Sequence, residues 1–197
     1  AQRPGDAQPV PVREPVGLAV LPGPHPTLIV SDASTRQLWT TPLDLPAFLP
    51  ASESWQPMPL SGAVLVRPTD VAVLEDHSLL VADAGRVWHV RRDGDAWHAC
   101  GHYDGPPDEQ LGGQLHLAVD GPWVLVSDCE RHRVLWLAQT GWTLLGQWGT
   151  SDHPGPGLDE LSHPTFVTIA GRRAVIADAG NQRLVLLELD DQLDVHN

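Results

Sequence analysis

A run of valine, isoleucine and leucine that closes on an aspartate occurs four times in this chain, and that repetition limits the folds open to it more than any other feature. The copies are LIVSDASTRQLW (28–39), LLVADAGRVW (79–88), VLVSDCERHRVL (124–135) and AVIADAGNQRLV (174–185). Their aspartates, Asp32, Asp83, Asp128 and Asp178, lie 51, 45 and 50 residues apart. Ahead of each stands a second apolar run: VGLAV (16–20), TDVAV (69–73), LHLAV (115–119) and TFVTI (165–169), three of them preceded by Pro15, Pro68 and Pro164. Behind each aspartate, Gln37, Arg86, Arg133 or Arg183 opens a third run, and turns such as Asp93-Gly94 lead into a fourth. Short β-rich runs separated by Gly and Asn turns are strands. Four-stranded units repeated every 45–50 residues predict an all-β protein, a radial β-propeller of four antiparallel blades.

The phrase P-x-x-V-A-V … V-x-V-A-D-x-x-N-x-R-(I/L/V), which Pro164, Val167, Asp178, Asn181 and Arg183 match most fully, resembles the NHL repeat of β-propellers, and Gln147-Trp148-Gly149 resembles the element before the next blade. The resemblance covers about residues 14–190. It implies a propeller of NHL type, a group that includes scaffolds, RNA binders and enzymes, so it specifies architecture more than activity. Blades are expected at about 15–65, 68–105, 114–149 and 164–197, after a proline-rich lead over 1–14. Four units leave three arrangements open: a small closed ring, an arc completed by another chain, or a piece of a larger ring. The ends of the repeat set fall near the chain termini, which favours the small ring.

Charge narrows function. Every one of the twelve basic residues is arginine, and the net charge is −13. Nucleic-acid binding draws on basic patches that release counterions, so a nucleic-acid partner is not expected. No apolar window is long enough for a membrane span. The lead AQRPGDAQ fits a trimmed exported protein, and compartment is otherwise open. Cys100 and Cys129 allow one disulfide or two free thiols. Of the eight tryptophans, Trp39 and Trp88 share a register while Trp136 falls one position on and is expected on the opposite face.

The recurring aspartates read as structural, each accepting backbone N–H groups of its following turn and pairing with the arginine five residues on. Departures from the repeat are where function is expected. At the mouth of the central channel the candidate ligand residues are Thr69, Asp70, His116, Asp120 and Thr165. On the fourth strand of blade two, His98, Cys100 and His102 alternate, and an unbroken strand places all three on one face as a zinc or copper candidate. No cofactor is otherwise expected. Relatives suggested by the resemblance do not carry over. The amidating lyase propellers place zinc histidines directly after the inner-strand proline, where this chain has Val16, Thr69, Leu115 and Thr165, and His116 is one residue out of register. Asp70 and Asp120 alone do not reproduce the acidic set of the lactonases. An insertion after blade one's third strand is apolar (Leu43, Leu45, Phe48, Leu49) and is a candidate partner loop. The expected function is therefore a non-catalytic binding or scaffold propeller whose partner is another protein or further copies of itself. A metal-dependent lyase or lactonase is the alternative.

Overall fold

The computed structural model describes residues 11–43 and 54–189. Four antiparallel sheets follow one another along the chain as blades of a β-propeller. Blade one holds β1 (Pro15–Leu21), β2 (Thr27–Asp32), β3 (Gln37–Pro42) and β4 (Gln56–Met58). A two-residue strand, β5 (Leu60–Ser61), precedes blade two, which is β6 (Pro68–Val73), β7 (Leu79–Asp83), β8 (Arg86–Asp93) and β9 (Ala96–Tyr103). Blade three is β10 (Leu115–Asp120), β11 (Trp123–Asp128), β12 (Arg133–Ala138) and β13 (Thr143–Trp148). Blade four shows β14 (Pro164–Ala170), β15 (Arg173–Asp178) and β16 (Arg183–Glu188); the expected final strand at 192–196 lies outside the described residues.

One boundary differs from expectation. Leu60 and Ser61, placed by sequence in blade one, pair in parallel with Trp97 and His98 at the outer edge of blade two. Pro57 and Pro59 account for this, because proline lacks the N–H that would continue a ladder with β3.

Blades pack through their inner strands, β1 on β6, β6 on β10 and β10 on β14. The three apolar cores lie at these three junctions. Ile29, Leu38 and Met58 meet Val71, Leu79 and Val81 between blades one and two. Leu80, Val87 and Tyr103 meet Leu115, Val126 and Leu135 between blades two and three. Leu125 and Trp136 meet Val167, Ile176 and Leu189 between blades three and four. Trp88 joins the first core and Trp136 the third, so the one-position offset does turn the two indoles to opposite neighbours. Cys100 is exposed and Cys129 buried, both free thiols.

The repeated aspartates are buried and do more than close their turns. Each carboxylate grips the connecting segment that enters its own blade. Asp83 accepts the N–H groups of Val66 and Arg67, Asp128 that of Gly112, and Asp178 that of Ser162. Asp32 accepts Arg13 and Glu14 in the same way, and also Thr35 in its turn. Burial raises the Asp32 carboxyl, but these N–H groups outweigh it and hold the group below the usual carboxylate range. In blades three and four the arginine completes the grip. Arg133, fully buried, bonds Asp128 at 3.2 Å and the carbonyls of Glu109 and Gln110. Arg183 bonds Asp178 at 2.8 Å and the carbonyls of Pro156, Gly157 and Glu160. Arg86 departs from the expected pairing: its turn is two residues shorter, and its guanidinium reaches Asp104 instead of Asp83.

Truncating Asp128 leaves the buried Arg133 with Glu109 as its remaining carboxylate partner and leaves the Gly112 N–H without its acceptor, so Asp128→Ala is expected to cost about 3 kcal/mol or more. Asp32→Ala removes backbone N–H partners and the Thr35 hydroxyl and strands no charge, so it is expected to cost about 1–3 kcal/mol. Urea unfolding midpoints at constant slope test the order, and equal losses would contradict it.

Candidate functional site

One register of the four inner strands forms a row of touching residues that runs from blade to blade. A bulge between Pro15 and Gly17, Pro68 and Asp70, and Pro164 and Phe166 shifts the strand after each proline. The residues that follow, Gly17, Asp70 and Phe166, occupy equivalent places, with His116 in the same place on β10. Neighbours in this row touch. A Cβ on Gly17 would lie 2.4 Å from Asp70 Oδ1, so blade one approaches blade two this closely only without a side chain there. His116 Nδ1 stands 3.5 Å from Asp70 Oδ2, and its ring lies 4.3 Å from that of Phe166.

Asp70 and His116 are both buried, and each is already engaged. Asp70 Oδ2 accepts the N–H of Leu117 from blade three, and Oδ1 accepts the N–H of Val71, both at 2.8 Å. Thr69 Oγ1 donates to the carbonyl of Leu115 at 2.8 Å, a second tie between the same blades. Ser127 Oγ donates to the Pro164 carbonyl and so ties blade three to blade four. Asp120 is exposed and accepts the N–H of Gly171, another link between those blades. Thr165 is half-buried beside Phe166 in β14. Of the five channel candidates, the structure brings Asp70 and His116 together and uses Thr69 and Asp120 to join blades.

The strand bearing His98, Cys100 and His102 is not continuous. His89 pairs with Gly101 and Val90 with Ala99, so Cys100 is the extra residue of a bulge. The bulge reverses alternation, which puts His98 on the side of Arg91 and His102 on the side of Trp88. His98 bonds Ser61, while His102 lies edge-on to Trp88 and 3.5 Å from Asp104. The one-face arrangement that motivated a zinc or copper site is therefore absent, and among the described residues no three His, Cys, Asp or Glu side chains converge as metal ligands. Leu43 is exposed, whereas Leu45, Phe48 and Leu49 lie outside the described residues.

Two features escaped the sequence reading. Ser78, buried, donates to Asp76 at 2.5 Å and lies 3.0 Å from His89 Nε2. This polarity is the reverse of a nucleophile's: the hydroxyl proton is committed to the carboxylate and its oxygen faces the imidazole. The Ser78 hydroxyl and N–H hold Asp76 below the usual carboxylate range, whereas burial and Arg91 lower His89. Ser78 and Asp76 line a groove of about 330 Å³ with Leu21, Arg91, Arg92 and Trp97. The Asp-x-Ser turn at 76–78 was the only signal available.

The second feature sets two exposed valines beside the polar groups of Asp83, Arg86, Asp104 and Gln110. Val64 is 84% exposed and Val66 57% exposed, and both line a groove of about 270 Å³ with Gly85, Arg86 and Trp88. Arg86 lies over the Trp88 ring at 4.8 Å while held by Asp104, which fixes the floor of the groove.

No protein family and no curated protein matches this sequence. Among solved structures, a chain from a nidogen/laminin complex is similar with a TM-score of 0.62 at 16% identity. The match covers 91% of this chain and 61% of that one. A likeness at that identity is one of fold, and it agrees with the β-propeller built from the strands.

His89 has a folded pKa below its unfolded value of about 6.5, so its contribution to stability is complete above that pH and lost as pH falls below it. The urea midpoint is expected to drop between neutral pH and pH of about 5.5. His89→Gln should shrink that drop, and an unchanged drop would assign the acid sensitivity elsewhere.

Proposed function

We propose that this propeller is a non-catalytic protein-binding module and that the groove between Val64, Val66 and Trp88 receives an apolar side chain of the partner. The observation that carries this reading is the exposure of both valines beside a floor whose cation and indole are already fixed. Fixed aromatic floors with exposed apolar rims suit protein anchors, because little side-chain freedom is lost on docking. The solved neighbour belongs to a protein–protein complex, which is in keeping with such a role for this architecture. Thr69 and Asp70, by contrast, each spend a hydrogen bond on holding blades two and three together.

A second reading, a propeller lyase or lactonase, rests on the Asp70–His116 pair alone. Affinity capture from the native source, compared between wild type, Val64→Glu and His116→Gln, separates the two. The binding reading expects one protein captured at near-stoichiometric yield, lost with Val64→Glu and kept with His116→Gln. Capture insensitive to Val64→Glu, or a hydrolytic activity abolished by His116→Gln, would overturn it.

A further inference from the structure

We infer that His132 is an acid-released latch on the segment that enters blade four: as a neutral imidazole it holds the N–H of His163, and as an imidazolium it lets that N–H go. The latch departs from the repeat. In blades one and two the residue just before the inner-strand proline gives its N–H to its own blade's aspartate, Glu14 to Asp32 and Arg67 to Asp83. In blade four the residue in that place is His163, and its N–H goes instead to His132 Nδ1 in the turn of blade three, at 3.1 Å. Asp178 is already committed. Its Oδ1 accepts the Ser162 N–H, and its Oδ2 accepts Asn181 Nδ2 and Arg183 Nε, both at 2.8 Å. The place before the third strand is left-handed in all four blades, at Arg36, Gly85, His132 and Gln182, so that conformation belongs to the fold and the imidazole to blade three alone. A carboxylate goes on accepting well into acid, whereas a ring nitrogen stops accepting once it carries a proton.

Protonation of His132 sets Nδ1–H against the His163 N–H, two donors with no acceptor between them. The two rings meet edge-on with centroids 4.4 Å apart, so a proton on each adds repulsion. From the entering segment, His163 and Asp152 act on the His132 ring, and Asp152 is paired with Arg131. On the β13 side the neighbour is Gly149, which brings no charge. Within the turn itself, Glu130 is turned to the Gly113 N–H, and Arg133 faces Asp128 and Glu109. Burial lowers the His132 pKa, His163 lowers it further, and Asp152 opposes them. The latch is therefore closed above the free imidazole value of about 6.5 and opens as pH falls through the lower folded value. Other ties between the turn and the segment do not titrate in that range: the Asp152 N–H donates to the Arg131 carbonyl at 3.3 Å, and Arg131 pairs with Asp152. Release is thus confined to the His163 end.

The test is amide hydrogen exchange at His163, read by NMR as a protection factor so that the pH dependence of exchange itself is removed, alongside titration of the His132 ring. Wild type is compared with His132→Asn and His132→Gly. One pH unit below the ring's midpoint about a tenth of His132 is neutral, so wild-type protection at His163 is expected to fall about tenfold from its value at neutral pH. Asparagine tolerates the left-handed backbone and offers an oxygen in place of Nδ1 without titrating, so His132→Asn is expected to keep its protection at both pH values. Glycine suits the same backbone and offers no acceptor, so His132→Gly is expected to show low protection at both. The Gly180 N–H, bonded to the Ser162 carbonyl at 2.7 Å, is expected to stay protected throughout, which reports that blade four remains folded. Wild-type protection at His163 that ignores the His132 titration would overturn the inference, and so would an equal fall in His132→Asn. A parallel loss at Gly180 would overturn it too, because the opening would then be that of the blade and not of the latch.

Discussion

A buried carboxylate gripping the backbone of the segment that enters its own blade is the interaction on which this fold depends. A propeller must turn its chain from the outer edge of one blade back to the axis to start the next, and that return path has no ladder to satisfy its N–H and C=O groups. Asp83, Asp128 and Asp178 supply the missing acceptor, and Arg133 and Arg183 supply the missing donors. The same residues that end the second strand and begin the third thus fix where the next first strand starts. Leu111 and Leu161, each next in sequence to a gripped N–H group, are buried in the cores on either side of blade three.

This grip weakens from the last blade to the first. Blades three and four have both acid and base. Blade two has the acid alone, because Arg86 is drawn to Asp104. Blade one has Gln37 where the arginine would be, and its amide donates to the Thr35 carbonyl. Asp32 compensates by accepting three N–H groups. The four copies therefore share a geometry while differing in how much charge each one buries.

Much of the architecture was legible because a strand's period and a turn's chemistry are local. The aspartates, the three-strand phrases and the opposed tryptophans all follow from spacing. What stayed hidden depends on a single extra residue. The bulge at Cys100 divides three residues that simple alternation places together, and only Gly101 hinted at it. Bulges after Pro15, Pro68 and Pro164 likewise shift the inner strands, so Gly17, Asp70, His116 and Phe166 share one register while Thr69 and Thr165 stand one place off it. The Asp128–Arg133 and Asp178–Arg183 pairs and the Asp32–Thr35 turn bond follow from spacing, but what each aspartate accepts ahead of its own blade does not. Those N–H donors lie some sixteen residues upstream in three of the blades, a distance at which no local turn rule operates.

The outer edges of the blades have a consequence for how the protein meets other β-rich chains. An open strand edge is a template for unwanted pairing, and here each visible outer edge is spoiled by a different device. Pro57 removes a donor from β4, Leu60 and Ser61 cap part of β9, and a bulge interrupts β13 where Trp136 and Leu137 face Gly146 and Leu144. Recruitment into a growing cross-β stack is thereby discouraged along the rim, and side-chain contact, with its greater selectivity, is left as the easier route to company.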